Sequence, residues 1–172
     1  MKKITLIITI LSMVVNVCAT EYKSTQRCSS FIKKYEKFSS VAYWDSNGYS
    51  IGYGHHSSVK KGQRITQAKA LAYLKDDVKV AEKSVNYLLN KLPYKYKFSQ
   101  GFIDGFTSFV YNVGIGNAQK SEFYKRLQRC RVRNGKINKN DFDYTLVAIK
   151  TSCISAKGHS ERRKGEYQMM RL

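Results

Sequence analysis

The chain has 172 residues, with 31 lysines and arginines against 12 aspartates and glutamates, a formal net charge of +19, one proline and four cysteines. That length suits one compact domain, and no linker rich in proline, glycine or serine, no low-complexity run and no repeat divides it, which excludes a multidomain or disordered organisation. The charge favours an anionic partner, but there is no helix-turn-helix spacing, RNP-like aromatic motif or zinc-finger pattern, so specific nucleic-acid readout is excluded.

The first nineteen residues, MKKITLIITILSMVVNVCA, run from Lys2 and Lys3 through an apolar stretch, Ile4 to Val17, to Cys18 and Ala19. This is the layout of a secretory signal peptide. The apolar stretch is shorter than the roughly 20 residues a spanning helix needs, and a signal anchor is the alternative. The expected organisation is a leader over 1–19 and one domain over 20–172, exported to the periplasm or beyond. The accessible polyanions there are those of bacterial envelopes: acidic glycans, teichoic acids and anionic lipid headgroups. Export also implies an oxidising compartment in which two of Cys28, Cys130 and Cys153 can bond. The shorter loop favours Cys130 with Cys153, and no cysteine or histidine spacing suggests a metal.

Residues 25–38 read as a helix, with Phe31, Ile32, Tyr35 and Phe38 recurring at steps of three and four. From Val41 to Tyr53 the pattern changes to β-branched and aromatic residues around Ser46-Asn47-Gly48, a hairpin signal. Thr66 can cap a long helix to Asn90, in which Leu71, Leu74, Val78, Ala81, Val85 and Leu88 repeat with helical spacing. That helix must close before Pro93, which cannot continue the hydrogen-bond ladder. Further helices are expected at Ser99–Tyr111, Ser121–Cys130, Asp141–Lys150 and Ser160–Met170. Helices following one small hairpin make the fold class α+β.

Two of the few acids, Glu36 and Asp45, frame the aromatic hairpin. Glycoside cleavage needs one protonated carboxyl to deliver a proton and one ionised carboxylate to assist water or stabilise the sugar cation. Surroundings must separate the two. Glu36, between Tyr35 and Phe38 at a helix end, suits the acid; Asp45, beside Ser46-Asn47-Gly48, suits the base. A surface acid paired to a lysine and a turn-capping aspartate explain the same spacing equally well, so spacing alone leaves both readings open.

The whole stretch YEKFSSVAYWDSNGYSIGYGHH, residues 35–56, resembles the signature of phage-type lysozymes, glycoside hydrolase family 24. In that family a helix-end Glu precedes an Ala-Tyr-x-Asp segment, a Gly turn and a Thr-Ile-Gly-Tyr-Gly-His run. Ala42-Tyr43-Trp44-Asp45 and Ser50-Ile51-Gly52-Tyr53-Gly54-His55 take those places. FIDGFTSFVYNVGIG, residues 102–116, is similar to the family's helix ending in Asn-Val-Gly-x-Gly, and GHSERRKGE, residues 158–166, keeps its Gly-x-x-x-Arg-Arg-x-x-Glu spacing.

The resemblance implies Glu36 as general acid, Asp45 as the carboxylate that positions or activates water, and Ser50 in place of the usual Thr as the hydroxyl that holds that water. The spacing from Asp45 to Ser50 is shorter than the family's usual one. Tyr43, Trp44, Tyr53 and Asn112 are candidates for contact with sugars. Tyr43 and Trp44 are equally explained as packing residues, and Asn112 as a helix-terminus cap. Arg162 or Arg163 is expected to pair with Glu36, so apolar burial has to outweigh that cation for Glu36 to remain protonated. The implied architecture is a small hairpin-bearing lobe and a larger helical lobe joined by the long helix. The implied substrate is peptidoglycan, cut by a monomer without a cofactor at the β-1,4 bond between N-acetylmuramic acid and N-acetylglucosamine. The alternatives are a lytic transglycosylase on the same glycan and a non-catalytic cationic envelope-binding protein.

Overall fold

The computed structural model describes residues 21–45, 48–153 and 157–172. The leader and the Ser46-Asn47 turn lie outside them. Among the described residues, six helices and two antiparallel hairpins follow in the order α1 (Gln26–Glu36), β1 (Ser39–Asp45), β2 (Gly48–Gly52), α2 (Gln67–Asn90), α3 (Gln100–Lys120), α4 (Glu122–Leu127), β3 (Val132–Arg133), β4 (Lys136–Ile137), α5 (Lys139–Ile149) and α6 (Lys157–Met170).

The long helix forms where its periodicity places it, with the Thr66 hydroxyl accepting from Lys69 N at 3.2 Å. The buried face is Ala70, Leu74, Val78, Ala81, Val85, Leu88 and Leu89. Leu71, expected on that face, is instead 42% exposed. The packed row at this turn is Ala70, Leu74 and Val78, one residue round from Leu71; it meets the end of β2, where a Cβ built on Gly52 would lie 3.0 Å from Ala70 Cβ.

α2 joins two cores. Its first half belongs to a small cluster with Cys28, Ile32 and Tyr53, and its second half to a large one built around Phe102, Phe106, Phe109, Phe123 and Leu127. Tyr111 borders both clusters. Burying each such aromatic contributes about 1.5–3 kcal/mol, so the large helical lobe holds most of the apolar stabilisation. The two-lobed expectation is met.

A strap before α1 fastens the lobes together. Asn86 accepts from Tyr22 N at 2.7 Å and donates to Tyr22 O at 2.8 Å. Glu82 accepts from both Ser24 N and its hydroxyl at 2.7 Å. Asp104 accepts from Thr25 N and its hydroxyl at 2.7 and 2.6 Å. These bonds fix where α1 starts, and therefore where its last residue, Glu36, ends up.

α3 and α6 pack almost backbone to backbone because α3 carries glycine at the contact. A Cβ on Gly105 would sit 2.8 Å from Glu166 O and 2.6 Å from Met170 Cγ. α3 extends past the expected Tyr111 to Lys120, with a break at Gly114 (φ 75°, ψ 159°). α4 is shorter than expected because residues 132–137 turn through Asn134-Gly135, both at positive φ, into a second hairpin. α5 and α6 begin earlier than expected, the former behind an Asn138 cap that accepts from Asp141 N at 3.1 Å.

The expected Cys130–Cys153 bond is absent: Cys28, Cys130 and Cys153 are all free thiols. Cys130 Sγ lies 3.3 Å from the Thr145 hydroxyl, whereas Cys153 Sγ faces Asn117 O at 3.9 Å. Burial pushes the Cys28 thiol up to about 12, which makes it a packing residue rather than a nucleophile.

Candidate active site

Glu36 is the last residue of α1. The chain turns sharply behind it, with Lys37 at φ 56° and its N–H returning to Lys33 O. The glutamate side chain is only 20% exposed. One carboxylate oxygen pairs with Arg162 of α6. The other faces Gly54, where a Cβ would lie 3.2 Å from Oε2. Glycine at 54 thus lets the backbone after the hairpin close over the acid, and its positive φ of 88° suits glycine as well.

Of the two candidate arginines, Arg162 reaches Glu36 and Arg163 does not. Arg163 is fully buried, pairs with Glu166, donates to Asn112 Oδ1 and to Ser152 O, and stacks over the Phe109 ring at 4.6 Å. Asn112 therefore serves α6 as an acceptor, a role neither the sugar contact nor the helix cap anticipated. Glu166 completes the cluster: its side chain is wholly buried and accepts from the Ser108 hydroxyl at 2.8 Å and from Arg162 Nε at 3.2 Å. Sequence reading passed over Glu166, although the Arg-Arg-x-x-Glu spacing places its carboxylate one helical turn from both arginines.

Asp45 ends β1 and is exposed, opposite Gly48 in the hairpin register. Ser50 pairs with Tyr43 across the strands and is 4% exposed. Tyr43 ties the two carboxylates electrostatically. Its hydroxyl is raised above the ordinary tyrosine value by burial first, then by Asp45 and Glu36. Both acids therefore act on one phenol.

The aromatic candidates divide. Trp44 is 65% exposed and meets Tyr49 edge-on at 5.3 Å, so it is not a core residue. Tyr43 and Phe38 are also exposed. Tyr53, expected to contact sugar, is 6% exposed and packs in the small core. Its ring is closed off, and its carbonyl accepts from the Tyr111 hydroxyl at 2.7 Å.

His55, the last residue of the Ser-Ile-Gly-Tyr-Gly-His run, makes a pairing beside the site that the sequence did not indicate. His55 Nδ1 lies 2.9 Å from Asp77 Oδ2, and its ring stacks on Tyr73 at 4.1 Å. His55 also bridges to Ile51 in β2, so the dyad pins the hairpin onto α2.

The comparisons with known proteins agree with this architecture. The chain is 35% identical over 106 residues to the endolysin of Bacillus phage PZA, covering 59% of this chain and 39% of that one. It is 34% identical over 97 residues to the endolysin of Acyrthosiphon pisum secondary endosymbiont phage 1, covering 56% and 63%. The chain thus spans about two-fifths of the Bacillus phage relative. Among solved structures, the muramidase domain of SpmX from Asticaccaulis excentricus superposes with a TM-score of 0.73 at 22% identity, covering 88% of this chain and 99% of that one. An endolysin from Escherichia coli O157:H7 phage FAHEc1 gives 0.70 at 25% identity, covering 88% and 95%. The first of these shows the fold alone. The family model for phage lysozyme matches residues 33–166, a span that holds Glu36, the hairpin and the Arg162-Arg163-Glu166 cluster. The chain belongs to the phage lysozyme family.

Proposed function

We propose that this protein is a peptidoglycan hydrolase, an N-acetylmuramidase that cleaves the β-1,4 bond between N-acetylmuramic acid and N-acetylglucosamine and so lyses bacteria. The observation that carries the proposal is the contrast in surroundings between Glu36 at the end of α1 and Asp45 at the end of β1. Glu36 is enclosed by Gly54 and Arg162, whereas Asp45 stands in solvent at the end of a strand. A donor that must hold its proton at neutral pH gains from a dry site, and a carboxylate that handles water gains from a wet one.

In this reading Glu36 protonates the leaving glycosidic oxygen. Asp45, with the Ser50 hydroxyl, places the attacking water or stabilises the sugar cation. Trp44 and Tyr43 offer their exposed faces to sugar rings, and Arg162 holds Glu36 in place. Reaction requires no cofactor. The leader over residues 1–19 would export the domain to the wall as a monomer, released or membrane-held. The net charge of +19 would concentrate it on the anionic envelope, an attraction that salt weakens.

One specific feature favours a second reading. Asp45 is solvated and the turn to Ser50 is short, and poor placement of water would leave an acid-only reaction, that of a lytic transglycosylase. Mass spectrometry of muropeptides released by purified residues 20–172 separates the readings. Reducing N-acetylmuramic acid ends are expected; anhydro ends would replace hydrolysis with transglycosylation, and no released fragments would leave a non-catalytic envelope binder.

A further inference from the structure

The buried cluster at the back of the site contains two guanidinium groups, Arg162 and Arg163, and two carboxyl groups, Glu36 and Glu166. Arg162 is divided between the acids: Nη1 serves Glu36 and Nε serves Glu166, while Nη2 reaches Ser108 O at 3.4 Å. Glu166 is held from the other side by the Ser108 hydroxyl and Arg163. Its side chain has no solvent access, whereas that of Glu36 keeps some. Glu166 therefore never meets a polymer in the cleft, and anything it does for the reaction passes through Arg162.

We propose that Glu166 is a positioning residue for the proton-donating carboxyl: by holding half of the Arg162 fork and opposing the charge on Glu36, it sets the pH at which Glu36 stops delivering its proton. The assignment rests on the reading of Glu36 as the donor. In a water-poor cluster a neighbouring negative charge disfavours ionisation, and an undivided guanidinium favours it. Removing the charge of Glu166 changes both in the same direction, toward earlier ionisation of Glu36.

The other charged or titratable groups around Glu36 remain in place under that change. They are Tyr43 and Asp45 from β1, Tyr111 from α3, Asp77 of α2 with its partner His55, and, on its own helix and just after it, Tyr35, Lys33, Lys34 and Lys37. Tyr43 and Tyr111 are both raised, chiefly by burial, so neither titrates with the acid. Arg162 is the one cation seen pairing with Glu36 among the described residues.

The test is the pH–rate profile of wall lysis together with carbon-13 NMR titration of the Glu36 carboxyl, in Glu166→Gln. Because that variant leaves Arg163 buried without its partner, the double variant Arg163→Gln with Glu166→Gln, which removes one charge of each sign, is measured beside it. In Glu166→Gln the alkaline limb and the Glu36 titration are both expected to move to lower pH by about one unit, a tenfold change in the ionisation equilibrium, and in the double variant, which also loses a cation, both move the same way by less. Ser108→Ala, which loosens Glu166 but keeps every charge, should leave the limb in place. Slower turnover with limb and titration unmoved would reduce Glu166 to packing and overturn the proposal, as would movement to higher pH or movement of the limb without the carboxyl. Should Glu36→Gln itself prove active, the functional reading fails, while the carboxyl titration still reports the coupling to Glu166.

Discussion

The back wall of the site and the hairpin in front of it solve opposite problems. Behind Glu36, Arg162, Arg163 and Glu166 are sealed between α3 and α6, each bonded to another member and to backbone or side chains of α3. In front, β1 presents Tyr43, Trp44 and Asp45 to solvent on a two-stranded ribbon. An isolated hairpin is marginal in water, and this one is held by the Ala42 N to Gln63 O bond at 2.9 Å, the Ile65 N to Ser40 O bond at 2.9 Å and the His55–Asp77 dyad. The lesson is that rigidity sits with the proton donor and adaptability with the polymer-facing carboxylate.

That contrast breaks most visibly from the buried side. Arg163→Ala takes from Glu166 the cation at its Oε2 and from Asn112 its donor in a closed space, and breaking a buried ion pair costs about 3–5 kcal/mol. Urea denaturation should show a loss of that size; a loss no larger than a surface substitution would mean the cluster is not sealed. Asp45→Asn should do the reverse, lowering turnover about 100-fold while denaturation stays within about 0.5 kcal/mol of the parent. Comparable losses of stability from the two changes would erase the distinction.

Smaller effects sharpen it. Trp44→Ala is expected to raise KM for glycan several-fold with the melting temperature unchanged, since the ring is mostly solvated; calorimetry and kinetics on one preparation decide this. Far from the site, the Arg131 guanidinium and N–H hold the Asp141 carboxyl down at about 2, against an ordinary 3.8. A carboxyl lowered in the folded state stabilises above its unfolded value, and the contribution fades as pH falls through about 4 to about 2. Asp141→Asn should therefore match the parent below that window and fall slightly short of it at pH 6, by thermal melts across the range.

What could be read in advance followed local rules. The α2 spacing, the Thr66 cap and the helix-to-hairpin change around Glu36 all depend on neighbours within a few residues. Leu71 is exposed because the face that meets β2 is the Ala70 row, and which row meets the hairpin is decided by the approach of Gly52, which is distant in sequence. The Asn134-Gly135 turn signal was present, but it lies in the connection between the expected helices Ser121–Cys130 and Asp141–Lys150, where the strands flanking it are only two residues long. Arg162 or Arg163 could be named only as alternatives, since choosing between them requires Glu36, 126 residues away, to be in contact. Glu166 stood in the Arg-Arg-x-x-Glu spacing and His55 at the end of the Gly-Tyr-Gly-His run, but neither spacing names a role, because a buried charge is recognisable only once the partners that neutralise it have been brought together by folding.

The central claim is that Glu36 delivers a proton, and Glu36→Gln tests it most directly because the amide keeps the size and a hydrogen bond to Arg162 while losing the acid. Turnover on purified peptidoglycan, measured on protein whose circular dichroism matches the parent, is expected to fall by about a thousandfold or more. Turnover within about tenfold of the parent would contradict the account, for general acid catalysis contributes more than that.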